Sequence, residues 1–411
     1  MTAYLQPLLC VLCLLIAFNP GCARFRQLRS ENARLAALSK IEGKVEVEDW
    51  KGDPLIVVVM LKPVQTGVPI VIEGRIPMSR PGKFTAIVRP DVYMVGVFED
   101  SSKNGKYDFG ERAATFQNFG AIALKDGEAR KEVDLTVTDE LPSLLRKPDE
   151  LKSVDATLNA ADGKVFALSD ARFAPENGPL GAWQPMTFYE KIGMGLFFLQ
   201  PYDPAKIPVV FVHGMSGHPR EFESLIRCLD ATRFQPWVAQ YASGWSLEPI
   251  ARGFSYRLTK LQLQLGFKQV YVVAHSMGGL VSRRMLHEHV ASNAKPFVTK
   301  FVSIVSPLGG MPSADMGVKM APAVVPSWRD VGPASDYVRH LYDEPLPREI
   351  EYSLFFAFHD SDAGDTVVSL ASQLRAEARR EASSLSAFSN THTGVLKDPE
   401  TCKALTKVFA R

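Results

Sequence analysis

Eleven residues constrain this 411-residue chain more than any others: Val270-Tyr-Val-Val-Ala-His-Ser-Met-Gly-Gly-Leu280. Val270 to Ala274 form a short, β-branched apolar run, the composition of a central strand in a parallel sheet. Ala274, Gly278 and Gly279 surround Ser276 with residues that have little or no side chain. A serine held on a sharp strand-to-helix turn needs such neighbours, because its own backbone is strained and the flanking backbones nearly touch. A helix starting there aims its first N–H groups at the serine, where negative charge would develop on an attacked carbonyl. The pattern predicts a nucleophile elbow of the G-x-S-x-G type, with Ala274 in the first glycine place.

Two further features belong with the elbow. Upstream, Ile207-Pro-Val-Val-Phe-Val-His-Gly-Met-Ser-Gly217 is a second apolar strand running into a glycine-bounded loop. Downstream, past residue 360, the chain holds a single histidine, His392, in Asn390-Thr-His-Thr-Gly394. Between them the strand-like run Tyr352-Ser-Leu-Phe-Phe-Ala-Phe358 leads into His359-Asp-Ser-Asp-Ala-Gly-Asp-Thr-Val-Val368, which offers Asp360, Asp362 and Asp365.

On these residues the region from Ile207 to the C-terminus resembles the α/β-hydrolases. It is nearest in pattern to lipases and esterases with a V-H-G-x-x-G loop and an A-H-S-M-G-G elbow. The resemblance implies a mostly parallel sheet flanked by helices, with nucleophile, acid and base in that chain order. It places the nucleophile at Ser276, the general base at His392 and the acid among the three aspartates. The family's acid commonly precedes a Val-Val pair by a residue or so, which favours Asp365 and leaves Asp360 and Asp362 as solvated turn residues. It also implies the main-chain N–H groups of Met215 and Met277 as oxyanion donors.

The chemistry accounts for these residue types. Serine attacks poorly at neutral pH unless a base takes its proton, and imidazole titrates near that pH. A carboxylate holds the imidazole in the correct tautomer and stabilises its charged form. His213 and His275 are read as supports for the oxyanion loop and the elbow. His287 and His289, two apart on the following helix, point to different faces and do not form a metal pair.

The N-terminus adds a compartment. Leu8 to Phe18 is an uninterrupted apolar run, well short of the roughly 20 residues a membrane-spanning helix needs. It has the length of a secretory h-region and is followed by Asn19-Pro-Gly-Cys22. The pattern resembles a bacterial lipoprotein signal in which a lipidated Cys22 anchors the protein to a membrane. No Lys or Arg precedes the run, however, and Asn19-Pro20 replace the usual Leu and small residue. Plain secretion and an uncleaved anchor are the alternatives; export is expected in each case, to the cell envelope or beyond it. Cys10 and Cys13 would leave with the signal. If Cys22 carries lipid, Cys228 and Cys402 form an even pair. The hydrolase resemblance places their helices on one face of the sheet, implying a disulfide, with two buried thiols as the alternative.

From Gly43 to about Val137 the pattern changes to short alternating strands punctuated by Pro and Gly, as in an antiparallel β-sandwich. This part resembles the transthyretin-like or carboxypeptidase-regulatory sandwiches. The expected division is a signal over 1–22, a tether or short amphipathic helix over 23–40, a β-sandwich over 41–141, a connecting region over 142–206 and an α/β-hydrolase over 207–411. Within the sandwich, Asp100, Ser102, Asn104, Asp108 and Glu111 fall at places one, three, five, nine and twelve of a loop with Gly105 at place six. That is the spacing of an EF-hand-type Ca²⁺ loop. The other reading is a polar hairpin turn shaped by Asn104-Gly105.

Lys and Arg (47) nearly balance Asp and Glu (45), which gives no sign of a nucleic-acid surface. The Pro- and Gly-rich stretch from Pro307 to Pro347 either lines an apolar acyl pocket or caps the sheet edge, and Gly244-Trp245 offers another pocket wall. The expected function is an exported serine hydrolase of lipid or other apolar esters that needs no cofactor for catalysis. An acyltransferase using the same residues and a non-catalytic envelope platform with this fold are the alternatives.

Overall fold

The computed structural model of the chain describes residues 21–63, 70–139, 153–155, 161–293, 295–359 and 363–410. The signal-like run, Asp360 and Asp362 lie outside these residues, and of Cys22 only the backbone is described. Among the described residues no helix is long and apolar enough to cross a membrane.

The chain enters through a helix, Gly21–Ala36, that is docked on the body of the protein. Its Leu28 is fully buried beside Ala182, Trp183, Ala323 and Val325. Its Glu31 accepts hydrogen bonds from the N–H groups of Met186 (2.7 Å) and Thr187 (3.0 Å) and from the Thr187 hydroxyl (2.7 Å). A carboxylate at these first N–H groups of the helix Pro185–Lys191 meets the positive end of its dipole.

Two sheets follow. In one, β1 (Ser39–Val47) pairs with β4 (Gly82–Val88) and with the short β8 (Ala129–Arg130) and β9 (Leu135–Val137). The other orders β10 (Ser153–Asp155), β3 (Ile70–Met78), β2 (Leu55–Leu61), β5 (Val92–Glu99) and β6 (Ala113–Thr115), with β7 (Ile122–Ala123) on β5. Period-two alternation sends Ile41, Val45, Phe84 and Ala86 from one sheet against Val57, Val59, Val95 and Val97 from the other, closing one apolar core. The pairing is not wholly antiparallel as expected: β8 and β9 run parallel to β1, and β10 parallel to β3.

This unit rests on the larger one through side chains. Arg252 donates to the Thr85 hydroxyl at 2.6 Å, Arg80 Nε to Ala291 O at 2.9 Å, and the Ser79 hydroxyl to Asn293 Oδ1 at 3.1 Å.

The larger unit is built on a seven-stranded sheet in the order β11 (Gly195–Phe198), β13 (Phe234–Gln240), β12 (Ile207–Val212), β14 (Val270–His275), β15 (Val298–Ile304), β16 (Glu351–Phe358), β17 (Ser384–Ser389). All pairs are parallel except β11 with β13. The sheet therefore begins upstream of Ile207. Phe173 and Phe197 pack with Phe211 and Phe222 in a single core, so the stretch from 161 to 198, expected as a connector, is part of this unit.

β12, and β14 as far as Ala274, are apolar because helices cover both faces. The helices Leu247–Leu265 and Met277–Ser292 lie on one side. Glu223–Arg227 and Pro399–Ala410 lie on the other, and there a Cys228–Cys402 disulfide joins them.

Candidate active site

Ser276 sits between β14 and the helix Met277–Ser292 with φ 53° and ψ −130°, a conformation that costs a non-glycine residue on the order of 1–3 kcal/mol. The packing that holds it there explains its small neighbours. A Cβ on Gly278 would lie 2.4 Å from Val212 O and 2.5 Å from His213 O, and one on Gly279 would lie 2.0 Å from the Ser306 hydroxyl. The Ser276 N–H is tied to Ile304 O at 2.9 Å.

Gly278→Ala is therefore expected to push the elbow off the backbone of β12 and cost about 1–3 kcal/mol. Gly253→Ala, where the nearest atom is the flexible tip of Arg257, should be neutral or stabilising by up to about 1 kcal/mol. Paired thermal melts check this, and equal midpoints for the two variants would rule out the close approach.

Three side chains from distant parts of the chain meet at the elbow. His392 Nε2 faces the Ser276 hydroxyl at 2.9 Å, and His392 Nδ1 faces Asp365 Oδ2 at 2.6 Å. Asp365 is fully buried. Its other oxygen accepts from the N–H groups of Val367 (2.9 Å) and Val368 (2.7 Å), and its carbonyl accepts from the His392 N–H at 2.7 Å. A carboxylate so surrounded by donors is fixed in place and orients the ring opposite it. Burial pulls the His392 imidazole below its ordinary value; the Asp365 hydrogen bond works against that, and the neighbouring His275 adds to it.

The loop after β12 approaches from the other side. Gly214 is so close to the elbow that a Cβ there would stand 2.7 Å from that of Ser276. The loop is pinned by the Tyr241 hydroxyl donating to His213 O (2.5 Å) and by the Ser216 N–H donating to the Ser243 hydroxyl (3.0 Å). The His213 ring stacks on Tyr241 with centroids 4.2 Å apart. Burial pushes His213 down to about 4, so its ring is neutral and Nδ1–H donates to Gly214 O at 2.9 Å. Among the described residues, no main-chain or side-chain acceptor occupies the N–H groups of Met215 or Met277.

Sequence reasoning passed over one member of the site. Glu221, in the turn Pro219–Phe222, reaches the elbow histidine: its Oε1 lies 3.1 Å from His275 Nδ1. Only the apposition of two segments 54 residues apart brings these groups together.

A cavity of about 640 Å³ opens over Ser276 and His392. Its walls include His218, Arg220, Glu223, Thr393 and Lys397, with Met215, Leu396 and Pro175 as the apolar members. Neither the stretch 307–347 nor Trp245 lines it. That stretch folds into the helices Pro312–Met320, Pro326–Val331 and Asp336–His340; its Val325, Trp328, Val331 and Tyr337 pack on the sheet-covering core or the N-terminal helix, while Met320 stays exposed. Trp245 packs edge-on against Tyr189.

The five residues at Ca²⁺-loop spacing lie on the turn after β5. Asp100 accepts from the N–H groups of Asn104 (3.0 Å) and Gly105 (2.9 Å), Glu111 from those of Ser102 (3.2 Å) and Asp108 (3.0 Å), and Asn104 donates to Asp108 (2.6 Å). These bonds close the loop on itself. Among the described residues no group of three or more His, Cys, Asp or Glu side chains is arranged to hold a metal. His289 bonds the Phe297 N–H at 3.1 Å and His287 bonds Arg283, each on its own face of the helix.

Residues 207–341, less than half of the chain, match the family described as alpha/beta hydrolase fold, and the sheet described above has that fold. No curated protein matches the chain. Solved structures similar to it include a mature lipase of Bacillus licheniformis (16% identity, 52% of this chain and 97% of that one, TM-score 0.43). Others are lipase B of Aspergillus fumigatus (18%, 50% and 53%, 0.40) and an esterase of the planctomycete Thermogutta terrifontis (15%, 52% and 88%, 0.38). Similarity at this level says nothing about substrate.

Proposed function

We propose that the chain is a serine hydrolase of carboxylic esters that works through an acyl-enzyme. The observation that carries this reading is the unbroken line of hydrogen bonds from Ser276 Oγ through His392 to the buried Asp365. As Ser276 Oγ bonds to the ester carbon, its proton passes to His392 Nε2. The N–H groups of Met215 and Met277 receive the oxyanion, each worth about 3–4 kcal/mol of barrier. His392 then gives its proton to the leaving alkoxide. A water, deprotonated by the same ring, bonds to the acyl carbon; the bond to Ser276 Oγ breaks to release the acid, and the ring returns the proton to Ser276.

The cavity argues for a narrower substrate range than lipid. Apolar acyl chains are held by apolar walls; here Pro175, Met215 and Leu396 are the apolar side chains of the lining, and residues with polar or charged ends outnumber them. Short or polar acyl groups suit it. The signal-like N-terminus supports export, with Cys22 as the lipid-bearing residue and membrane anchor, and a Cys228–Cys402 disulfide suits an oxidising compartment.

A panel of p-nitrophenyl esters from acetate to palmitate tests the reading. We expect kcat/KM to be highest at four carbons or fewer and to fall by about tenfold or more by twelve, on the order of the loss when a pocket cannot hold added methylenes. A preference for long chains would restore the lipid and apolar esters expected from the sequence. Product appearing only when an alcohol acceptor is added would identify an acyltransferase. No turnover with any ester and no labelling by a fluorophosphonate would leave a binding platform.

A further inference from the structure

Behind the Ser276–His392–Asp365 line stands a second acid–imidazole pair. His275 Nε2 faces the main-chain oxygen of His392 at 3.0 Å, and His275 Nδ1 faces Glu221 Oε1 at 3.1 Å. A carbonyl oxygen can only accept, so Nε2 carries a proton; an ionised carboxylate can only accept, so Nδ1 carries one as well. A ring protonated at both nitrogens is an imidazolium. The neutral alternative would move one proton to Glu221, whose Oε2 already accepts from the His218 N–H at 3.3 Å. A main-chain donor on the carboxylate favours the anion. Room for it is made by Gly217, where a Cβ would stand 2.8 Å from Glu221 Oε2.

Resting on the serine-hydrolase reading above, we propose that Glu221 and His275 form a standing ion pair that positions His392 and keeps it unprotonated, and so able to act as a base, into acidic solution. The pair does this in two ways. It holds the His392 loop by its carbonyl, while through the His218 N–H it also holds the oxyanion loop, so that both sides of the site are tied to one carboxylate. It also sets a positive charge beside the catalytic ring, with the two centroids 4.9 Å apart.

Other groups act on these rings. Asp365, at 2.6 Å, favours a charged His392, and Glu221 does so from farther off. His213 faces Glu221 and His275 from the oxyanion loop and is itself neutral. His218, Arg220, Glu223 and Lys397 stand around the same cavity. Burial works to raise the Glu221 carboxyl, yet the hydrogen bond and charge of His275 hold it below its ordinary value, in keeping with the pair.

The test is the pH dependence of kcat/KM on p-nitrophenyl acetate, whose acid limb reports His392 in the free enzyme. In wild type the midpoint should lie below the ordinary histidine value of about 6.5. His275→Gln keeps an N–H for the His392 carbonyl but removes the charge and leaves the Glu221 anion. Its midpoint should rise by about half a pH unit or more. In the His275→Gln/Glu221→Gln double variant both charges are gone, and the midpoint should still lie above that of wild type. The position of the limb reads the charge, while its height reads geometry, so a merely structural role would lower the plateau without moving the midpoint. Unmoved midpoints in both variants overturn the proposal.

Ring-nitrogen NMR of the wild-type protein at pH 8 provides a measurement that needs no variant. His275 should carry protons on both nitrogens where His392 carries one, and a singly protonated His275 would equally overturn the pair. Failure of the serine-hydrolase reading looks different: wild type would then hydrolyse no ester and take no fluorophosphonate.

Discussion

Ser276→Ala is expected to lower ester hydrolysis by about 10⁴- to 10⁶-fold, the range seen when a serine nucleophile is removed and only binding and oxyanion stabilisation remain. It should abolish labelling by a fluorophosphonate without unfolding the protein. The Ser276 hydroxyl makes one hydrogen bond, to His392 Nε2, and faces the cavity, so nothing structural hangs on it. Alanine keeps the same Cβ and the same strained backbone, so its melting midpoint should match wild type. Ser276→Gly should melt higher than either, because φ 53°, ψ −130° costs glycine alone no strain. Activity lost together with stability in Ser276→Ala would mean that the residue is structural; labelling retained in a folded Ser276→Ala protein would place the nucleophile elsewhere.

How far this site was legible in the sequence depends on how local each part is. The elbow could be read because strand, turn and helix are contiguous, and every small residue in it answers to a backbone within a few ångströms: Gly278 to Val212 and His213, Gly279 to Ser306. The preference for an aspartate just before a Val-Val pair has a visible cause, since the N–H groups of Val367 and Val368 both close onto Asp365. His392 could be found only because no other histidine follows residue 360. Glu221 could not be found, because a surface-like position on a short turn carries no sign that its carboxylate will meet an elbow 54 residues away.

Packing partners were the least legible of all. An amphipathic pattern over Gly21–Ala36 foretells a buried face but not that it will lie on Trp183 and Val325. The apolar residues between Pro307 and Pro347 fitted an acyl pocket and a sheet cap equally well. Composition alone cannot say which way a helix turns its apolar face once tertiary contacts compete for it. The strand Gly195–Phe198 was missed because four residues hold too little of a period to register.

Asp365→Asn carries the second large effect, and its mechanism follows from which oxygen is already engaged. Asp365 Oδ1 accepts two main-chain N–H groups, while Oδ2 faces His392 Nδ1. An asparagine here must leave its oxygen with Val367 and Val368, since turning it would set an NH₂ group against two donors. The NH₂ group then points at His392 Nδ1, which can accept from it only by giving up its own proton. The ring is forced into the tautomer with the proton on Nε2, where it can no longer accept from Ser276. We expect kcat to fall by about 10⁴-fold with KM little changed, because the lost interaction matters only as charge develops on the ring. Fold should be retained, since every backbone hydrogen bond of the turn survives. Asp365→Ala should instead melt lower, with the buried Val368 N–H left unpaired at about 1–3 kcal/mol. Stopped-flow rates with p-nitrophenyl acetate and paired melts decide the matter. Near-normal turnover in Asp365→Asn would move the acid to Asp360 or Asp362 and require a different orientation of His392.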